Sequence, residues 1–412
     1  MAQFPLLLTE LLGKPGSYLV YLAIGIAFGY VLESSGFNHS PSLAAQFYFK
    51  DLRVFKVFFT AIVVGMLMIF LASAVGLLDY NMIWVNPTYL WSGILGGLIM
   101  GVGFILGGFC PGTSLVALAT LKIDGIFFVI GGLLGVFTFS ETVGSFEHFF
   151  NGSYYGRLTI MDVFNLPTGV VVILVTLMAV FMLWGGEILE TKIGGKDNKN
   201  APKARYVGAA VLVILAVVVA FIGQPTTQDK WERISAEKEP LLENRDVQIH
   251  PGELLDTIHD HKINLIMLDV RSEVDYNLFH LRNARHVNPD EVKDLIHPLI
   301  QEPENTVIVL MSNDETNATE AWKILVAESV PNVYILDGGI NNWLSVFGGD
   351  FEQSYCAGKK PSASDDELSY NFTAALGSGC PAAFPDHEKY EFDYEKKIVL
   401  ELKRAPTGGG CG

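Results

Sequence analysis

The chain has few cysteines, a shortage of positive charge and no motif for nucleotide or metal chemistry. Four cysteines occur among 412 residues, and 28 Lys and Arg stand against 44 Asp and Glu, giving a formal net charge of −16. This excess of negative charge disfavours nucleic acid as a partner. The nine histidines form no HxxxH pattern, the cysteines form no CxxC pattern, and neither a Walker sequence nor a GxGxxG fingerprint occurs. We therefore assign no metal and no cofactor.

Charge is scarce in the first 223 residues, which contain 11 Lys and Arg, 11 Asp and Glu and long apolar runs. Six runs approach the roughly 20 apolar residues that cross about 30 Å of hydrocarbon. They cover residues 17–34, 54–78, 91–107, 124–142, 168–186 and 205–223. No basic segment with a short apolar run and a cleavage site opens the chain, so we expect the first run to remain. The sequence predicts an α-helical polytopic membrane domain followed by an acidic soluble domain.

Basic residues of the membrane half are concentrated on one side of the predicted spans. Six crossings place both termini on the same side, where the short segments carry only Lys14 and Arg157. The opposite loops carry Lys50, Arg53, Lys56, Lys122, Lys192, Lys196, Lys199, Lys203 and Arg205. Since cytoplasmic loops are enriched in Lys and Arg, the count predicts that the soluble domain lies outside the cytoplasm.

One cysteine lies where the third apolar run breaks, in the stretch GGFCPGT at residues 107–113. Pro111 removes a donor and disfavours helix at Cys110, and the adjacent glycines permit tight turns. Irregular backbone at membrane depth requires a covering of protein or a water-filled cavity. Transporters use such breaks to direct helix N-termini at an anion. The alternative is a cytoplasmic loop in which Cys110 is a small buried residue.

A second stretch repeats this pattern. GIAFGYVLESSGFN at residues 25–38 is similar to GVGFILGGFC at residues 101–110, and each ends in Gly-Phe followed by Asn38 or Cys110. The similarity predicts an internal repeat that brings an amide and a thiol to comparable loops. Small residues also allow the helix backbones to pack closely. The candidate pathway residues are Gly36, Phe37, Asn38, Gly108, Phe109, Cys110 and Pro111.

These stretches, with TIMDVFNLPTGVVVILVTLM, resemble the YeeE/YedE sulfur-transport family over about residues 15–190. The resemblance implies transport of thiosulfate or a related sulfur species across the bacterial inner membrane. It also implies loops that enter the membrane and a relay thiol at Cys110. In a bacterial inner membrane, the count of basic residues above places the soluble domain in the periplasm. Asn38 occupies the place where many members have another cysteine. Full-length members have a larger membrane region, so this chain resembles one half, and we expect a homodimer.

We assign residues 1–190 to the family-like domain with about five spans, and residues 205–223 to an additional transmembrane helix.

Beyond residue 250, short apolar strands alternate with helical runs, which predicts an α/β domain with a parallel sheet flanked by helices. Several residues resemble the rhodanese domain over about residues 250–348, with Phe279 and Asn283 in place of two usual glycines. The residues that carry this resemblance are Leu268–Arg271, Asp275, Tyr276, His280, Ala284 and Leu336–Trp343. We assign 224–249 to a linker and 349–412 to a C-terminal extension.

The rhodanese resemblance lacks the nucleophile. Rhodanese chemistry requires a cysteine after the fourth strand, and this place is held by Met311, whose thioether cannot form a persulfide. The following residues 312–317 include Asp314 and Glu315 but no Arg or Lys, so we expect them to repel thiosulfate. The domain is therefore predicted to be silent as a sulfurtransferase, although a docking or structural role stays open.

Three cysteines lie near the end of the chain. Cys411 follows three glycines, and a thiol on such a tether is accessible and mobile. It resembles the C-terminal arm of the Sox-system sulfur-carrier subunit; the alternative is a frayed terminus. Cys356 and Cys380 are 24 residues apart and form either a disulfide or additional sulfur-handling thiols, which the spacing does not decide.

The leading functional hypothesis is a thiosulfate transporter with a thiol relay at Cys110 and a sulfur-carrying arm at Cys411. Its expected partners are a small sulfur species, the lipid bilayer and a sulfur-carrier protein. One alternative is a membrane-anchored sulfurtransferase that uses Cys356, Cys380 or Cys411. The other is a non-transporting membrane scaffold that docks a sulfur carrier.

Overall fold

A computed structural model describes residues 4–6, 8–83, 85–195, 204–349, 356–359 and 366–400. The chain separates near residue 224 into two compact units, which are described one at a time. We call residues 4–224 the membrane unit and residues 225–400 the soluble unit.

The membrane unit is helical. Its helices are α1 (Leu8–Ser34), α2 (Ser40–Ala44), α3 (Arg53–Ala74), α4 (Leu90–Gly107), α5 (Pro111–Ala119), α6 (Ile123–Thr142), α7 (Glu147–Phe150), α8 (Ile160–Phe164), α9 (Thr168–Lys192) and α10 (Ala204–Ile222). Short 3₁₀ turns occupy Ala45–Tyr48, Tyr80–Met82 and Val143–Ser145.

Among the described residues, six helical segments are long and apolar enough to cross a membrane, which confirms the six predicted spans. The third of these segments differs from the others because it extends over Leu90–Ala119, 30 residues, and includes both α4 and α5. The break between these two helices lies at residues 108–110, in the glycine-rich stretch that contains the cysteine.

Helices α3, α9 and α10 form the packed part of the membrane unit. Their shared apolar cluster consists of Val63, Leu67, Phe70, Val172, Ala179, Ala216 and Val219. By contrast, no described residue of α4 is buried, and Gly125 is the buried residue of α6. Helices α4 and α6 therefore present most of their apolar surface to their surroundings.

The soluble unit is an α/β domain. Its elements are α11 (Thr227–Glu243), β1 (Gln248–Ile249), α12 (Pro251–His259), β2 (Asn264–Asp269), α13 (Glu273–Leu278), β3 (Arg285–His286), α14 (Ile296–Ile300), β4 (Thr306–Met311), α15 (Thr316–Ala327), β5 (Val333–Leu336), α16 (Gly339–Phe347), β6 (Cys356–Lys359) and β7 (Tyr370–Phe372). Short 3₁₀ turns occupy Pro289–Leu295, Pro381–Ala383 and His387–Lys389.

Five strands form a parallel sheet in the order β1-β5-β4-β2-β3, which confirms the predicted architecture. Every residue of the central strand β4 is buried, as expected for a parallel strand covered on both faces. The alternating side chains of β4 enter two apolar clusters, one on each face of the sheet. The loop after β4 thus begins at a rigid point in the middle of the domain.

The assignment of residues 224–249 to a linker is wrong. Most of this segment forms α11, whose Trp231 packs edge-on against Trp322 of α15 with ring centroids 6.1 Å apart. The same segment ends in β1, which pairs with β5 at the edge of the sheet. Amphipathic spacing of apolar residues in an otherwise charged helix explains why the segment folds onto the domain.

The described part of the C-terminal extension also belongs to the soluble unit. Leu368, Tyr370, Cys380 and Ile398 are buried in one of the two clusters that cover the sheet. Strand β7 pairs with β6 in a separate antiparallel ribbon. Residues 366–400 therefore complete the core of the domain.

Candidate functional site

Two helices of the membrane unit end in the same way. Gly36 follows the end of α1 with φ 78°, and Gly108 follows α4 with φ 72°, both in the left-handed region that glycine adopts at little cost. Each is followed by a phenylalanine and then by Asn38 or Cys110. A short helix with a proline in its first turn begins next, α2 in one case and α5 in the other. The backbone thus has the repeat that the sequence predicts.

The two phenylalanines anchor both loops in one apolar cluster. Phe37 is 2% exposed and Phe109 is fully buried. The other buried members of this cluster are Leu43, Val54 and Ala117. Because both aromatic rings occupy the same cluster, the residues that follow them are held in one region of the membrane unit.

Gly108 lies against Ser40, the first residue of α2. A Cβ placed on Gly108 would lie 2.8 Å from Cβ of Ser40 and 3.1 Å from the carbonyl oxygen of Ser40. Ser40 also donates a hydrogen bond through its hydroxyl to the carboxylate of Asp124, in the first turn of α6. Ser40 and Asp124 were not predicted from the sequence, since a serine beside a proline and one carboxylate at a helix start are common capping residues.

Cys110 is the N-cap residue of α5. The N–H of Thr113 donates to the Cys110 sulfur at 3.4 Å, and the N–H of Cys110 donates to Oγ1 of Thr113 at 3.0 Å. The carbonyl oxygen of Cys110 accepts the N–H of Ser114 at 3.0 Å. Thr113 and Ser114 are each 2% exposed, whereas Cys110 is partly exposed. The hydrogen bonds fix the thiol at the start of the helix and leave one side of it open.

This arrangement suits an anion with a soft sulfur atom. The N-terminus of α5 favours negative charge because the positive end of the helix dipole lies there. A thiol is a weak donor with a polarizable sulfur. Capping alone accounts for the hydrogen bonds between Cys110 and Thr113. Capping of α5 explains neither the glycine at position 108 nor the partial exposure of the Cys110 sulfur.

In the soluble unit, Met311 is the last residue of β4 and is fully buried. It lies beside Asp269 in the parallel register, and its carbonyl oxygen accepts the N–H of Val270 at 2.9 Å. Its thioether is part of the apolar cluster on one face of the sheet. The residue at the position predicted for the nucleophile is therefore a core residue in this chain.

Arg271 is a structural residue at the end of β2. It is fully buried and forms an ion pair with Asp269 at 2.6 Å. Its Nη2 also donates to the carbonyl oxygen of Phe279 at 2.6 Å, and its Nη1 donates to Oδ1 of Asn313 at 3.2 Å. These contacts use the guanidinium to connect β2, α13 and the loop after β4. A group so enclosed has no open face for an external anion.

The carboxylates of the loop after β4 have different surroundings. Glu315 accepts hydrogen bonds from Nη2 of Arg245 and from the N–H of Gly338, both at 2.6 Å. Arg245 also pairs with Asp337, so it offsets only part of the Glu315 charge, and the expectation that this loop repels an anion stays a prediction. Asp314 instead accepts the N–H of Thr316 at 2.7 Å. Arg245 was missed because it lies 70 residues before Glu315, within the segment assigned to a linker.

In the soluble unit, the sequence did not indicate Asp366 either. Its Oδ1 accepts the N–H of Asn313 at 2.7 Å and the N–H of Asp314 at 3.2 Å. Burial and the neighbouring Asp314 raise the pKa of Asp366 to about 6, although the backbone N–H donors oppose the shift. A single aspartate in a segment rich in Ser and Asp carries no sequence signal for such a contact.

The structure describes the other three cysteines to different extents. Cys380 has a free thiol and is 5% exposed. Its burial raises the pKa of the thiol, which keeps it protonated and disfavours a role as nucleophile. The backbone of Cys356 lies in β6. Because Cys380 is a free thiol in this structure, the predicted disulfide between the two is not formed here, and the use of Cys356 in sulfur handling stays a prediction. Cys411 lies outside the described residues.

Comparisons with known proteins agree with this geometry. A model of the family described as Sulphur transport matches residues 35–238, and a model of the Rhodanese-like domain matches residues 250–346. The chain is thus a multi-pass membrane protein with a rhodanese-like domain. Its membrane unit belongs to the Sulphur transport family, also called YeeE/YedE, and the first matched residues include the loop of Gly36 to Asn38.

One curated relative is the thiosulfate transporter TsuA of Spirochaeta thermophila. It is 26% identical over 224 residues, which cover 51% of this chain and 64% of the relative. The chain therefore spans less than two thirds of the length of this relative. No solved structure matches the chain.

Proposed function

We propose that the membrane unit carries thiosulfate or a related sulfur anion across the bacterial inner membrane. The observation that carries the proposal is the meeting of two Gly-Phe loops, one ending in Asn38 and the other in Cys110 at the start of α5. The family match and the similarity to a relative named as a thiosulfate transporter support the same cargo. Uptake of labelled thiosulfate by proteoliposomes that contain the purified chain tests the proposal.

The thiol would act as a weak and transient partner of the anion. An S–H donates a hydrogen bond without the strong attraction of a guanidinium, so the anion is bound and then released. The N-terminal dipole of α5 supplies the favourable potential. Asn38, 7% exposed, would offer its amide at the equivalent point of the first loop. In this mechanism the anion remains unmodified as it passes.

We also propose that two copies of the chain complete the pathway. The chain spans 64% of the curated relative, and the surfaces of α4 and α6 are largely uncovered. Several glycines on these helices have open space beside them: Gly93, Gly96, Gly97, Gly101, Gly103, Gly131, Gly132 and Gly135. Native mass spectrometry of the detergent-solubilised protein should give twice the chain mass of 45.2 kDa. A single-chain mass from a sample that transports thiosulfate would contradict the pairing.

The rhodanese-like domain is proposed to be silent as a sulfurtransferase. We expect no thiocyanate above background when the full chain is given thiosulfate and cyanide, because Met311 has no ionisable thiol. The variant Met311→Cys should add little, since the side chain at 311 is fully buried in the core. Ready turnover by the unchanged chain, lost in Cys380→Ser or Cys411→Ser, would instead support the sulfurtransferase alternative.

Cys411 is proposed to carry or receive sulfur on the periplasmic side. The support is the glycine tether in the sequence and the excess of basic residues in the opposite loops. In intact cells, a membrane-impermeant maleimide should label Cys411 when the other three cysteines are serine. Labelling that requires permeabilised cells would place this residue in the cytoplasm and refute delivery from outside. A variant with all four cysteines replaced measures the background.

A further inference from the structure

The loop after β4 already holds an anionic group of the same chain. Both N–H groups of Asn313 and Asp314 donate to one carboxylate oxygen of Asp366, and the side-chain amide of Asn317 donates to the other oxygen. Asp366 lies 52 residues after Asp314 in the chain, so this contact is not local capping. The carboxylate sits beside the first turn of α15, where N–H groups and the helix dipole favour negative charge.

The segment Asp366–Ser369, which we call the strap, is fixed to the loop and to α16. The N–H of Asp366 donates to Oδ2 of Asp314 at 2.9 Å, and its carbonyl oxygen accepts Nδ2 of Asn313 at 2.8 Å. Asn341 of α16 contacts the strap twice, donating to the carbonyl oxygen of Glu367 and accepting the N–H of Ser369. Leu368, 4% exposed, is buried in the adjacent core. The strap is therefore held on both sides of its apolar anchor.

Neighbouring negative charges destabilise the ionised carboxylate of Asp366 in this position. Asp314 lies against it, and the Asp275 carboxylate accepts the side-chain amide of Asn313 at 2.9 Å. The guanidinium of Arg271 is paired with Asp269 and donates to Asn313 and to the carbonyl oxygen of Phe279. The donors that stabilise the Asp366 carboxylate are thus N–H groups. These are the groups that an external carboxylate or oxyanion would use at the same point.

We propose that Asp366 closes the loop after β4 by occupying, within the same chain, the place of a small external anion. The bound carboxylate of Asp366 would prevent sulfurtransferase activity independently of Met311, because thiosulfate would have to displace it from the loop. It also predicts that the vacated place accepts a free carboxylate. The inference depends on the soluble unit alone, so its failure would leave the proposal of transport untouched.

The test removes the Asp366 side chain and offers it back as a free ion. Asp366 has φ 58°, a left-handed conformation that glycine adopts readily, so Asp366→Gly deletes the carboxylate without adding backbone strain. Hydrogen–deuterium exchange of the full chain in detergent would report on the amides of Asn313 and Asp314. We expect about tenfold faster exchange in Asp366→Gly, because each amide loses its acceptor. Acetate, which reproduces the deleted side chain, should restore slow exchange, and chloride at equal ionic strength should not.

Two further variants distinguish loss of the Asp366 carboxylate from loss of folding. Asp366→Asn keeps an oxygen acceptor and should retain slow exchange at Asn313. Asp290→Ala removes an exposed carboxylate elsewhere and should change neither amide. Slow exchange in β4 shows that the domain remains folded. The proposal is overturned if a folded Asp366→Gly variant keeps slow exchange at both amides, or if acetate has no effect on their faster exchange. Thiosulfate in place of acetate tests whether the vacated place also accepts the cargo.

Discussion

Replacing Cys110 by alanine should reduce thiosulfate uptake about tenfold or more while the protein still folds and inserts. The thiol is the partly exposed donor at the start of α5, and its loss removes one hydrogen bond to the passing anion, an interaction that with a charged partner contributes about 1.5–3 kcal/mol. The initial rate of uptake into proteoliposomes measures the effect. Size-exclusion chromatography of the same preparation checks folding.

Cys110→Ser is the informative companion, because serine is a better N-cap residue than cysteine or alanine. The serine variant should keep the contacts with Thr113, and its hydroxyl should support part of the uptake. An alanine cap costs about 1 kcal/mol of helix stability, so a difference between Ala and Ser in yield reports on capping. Uptake by Cys110→Ala near the wild-type rate would refute the role of Cys110 in the pathway. Full uptake by Cys110→Ser would show that a hydrogen-bond donor suffices without a thiol.

We expect Gly108→Ala to reduce thiosulfate uptake about as much as Cys110→Ala does. The cause would be displacement of a loop and not loss of the thiol. The new Cβ would lie 2.8 Å from Cβ of Ser40 and 3.3 Å from its Cα, so one of the two loops must move. The left-handed backbone at φ 72° adds roughly 1–2 kcal/mol of strain for a residue with a Cβ. Because the displaced residues adjoin Cys110, we expect uptake to fall about tenfold or more. Uptake assays on variants with matched amounts of inserted protein measure this loss.

Two other glycines serve as controls for that result. Gly36 has φ 78° but open space beside it, so Gly36→Ala introduces strain without the contact. Gly65 lies within α3 with open space, and Gly65→Ala should be neutral or slightly favourable, as alanine is the better helix former. Uptake should therefore rank Gly65→Ala above Gly36→Ala and Gly36→Ala above Gly108→Ala. Equal uptake by the variants at 36 and 108 would show that strain, not contact with Ser40, accounts for the loss.

Apolar length and the repeated Gly-Phe pattern made much of the membrane unit predictable. The six spans follow from hydropathy, and the common ends of α1 and α4 follow from the residues before Asn38 and Cys110. The contact between Gly108 and Ser40 was not predictable, since it depends on how two distant segments pack. The hydrogen bond from Ser40 to Asp124 was not predictable either, because both residues are common in helix caps.

In the soluble unit, local pattern predicted the sheet but not the contacts that close the loop after β4. Alternating strands and helices indicated a parallel α/β domain, and β4 ends at Met311 as the fourth strand. The errors concern segments that fold by long-range contact, such as α11, which appeared to be a charged linker. Arg245 and Asp366 reach the loop from 70 and 53 residues away, and no local pattern reports such distances.

The structure also narrows the alternatives drawn from the sequence. Burial of Cys380 and the core position of Met311 disfavour a sulfurtransferase that uses either of these two residues. The membrane unit retains a partly exposed thiol at a helix start, which a purely structural scaffold does not require. The two units are thus proposed to have different tasks, passage of the anion in one and sulfur presentation or docking in the other.

The most direct test of the central claim is thiosulfate uptake by the purified chain alone. Proteoliposomes that contain the wild-type protein should accumulate labelled thiosulfate faster than protein-free liposomes. Excess unlabelled thiosulfate should suppress this uptake more than sulfate, which lacks the soft terminal sulfur. Equal rates with and without the protein, in vesicles where insertion and pairing of the chain have been verified, would contradict transport of thiosulfate by this chain.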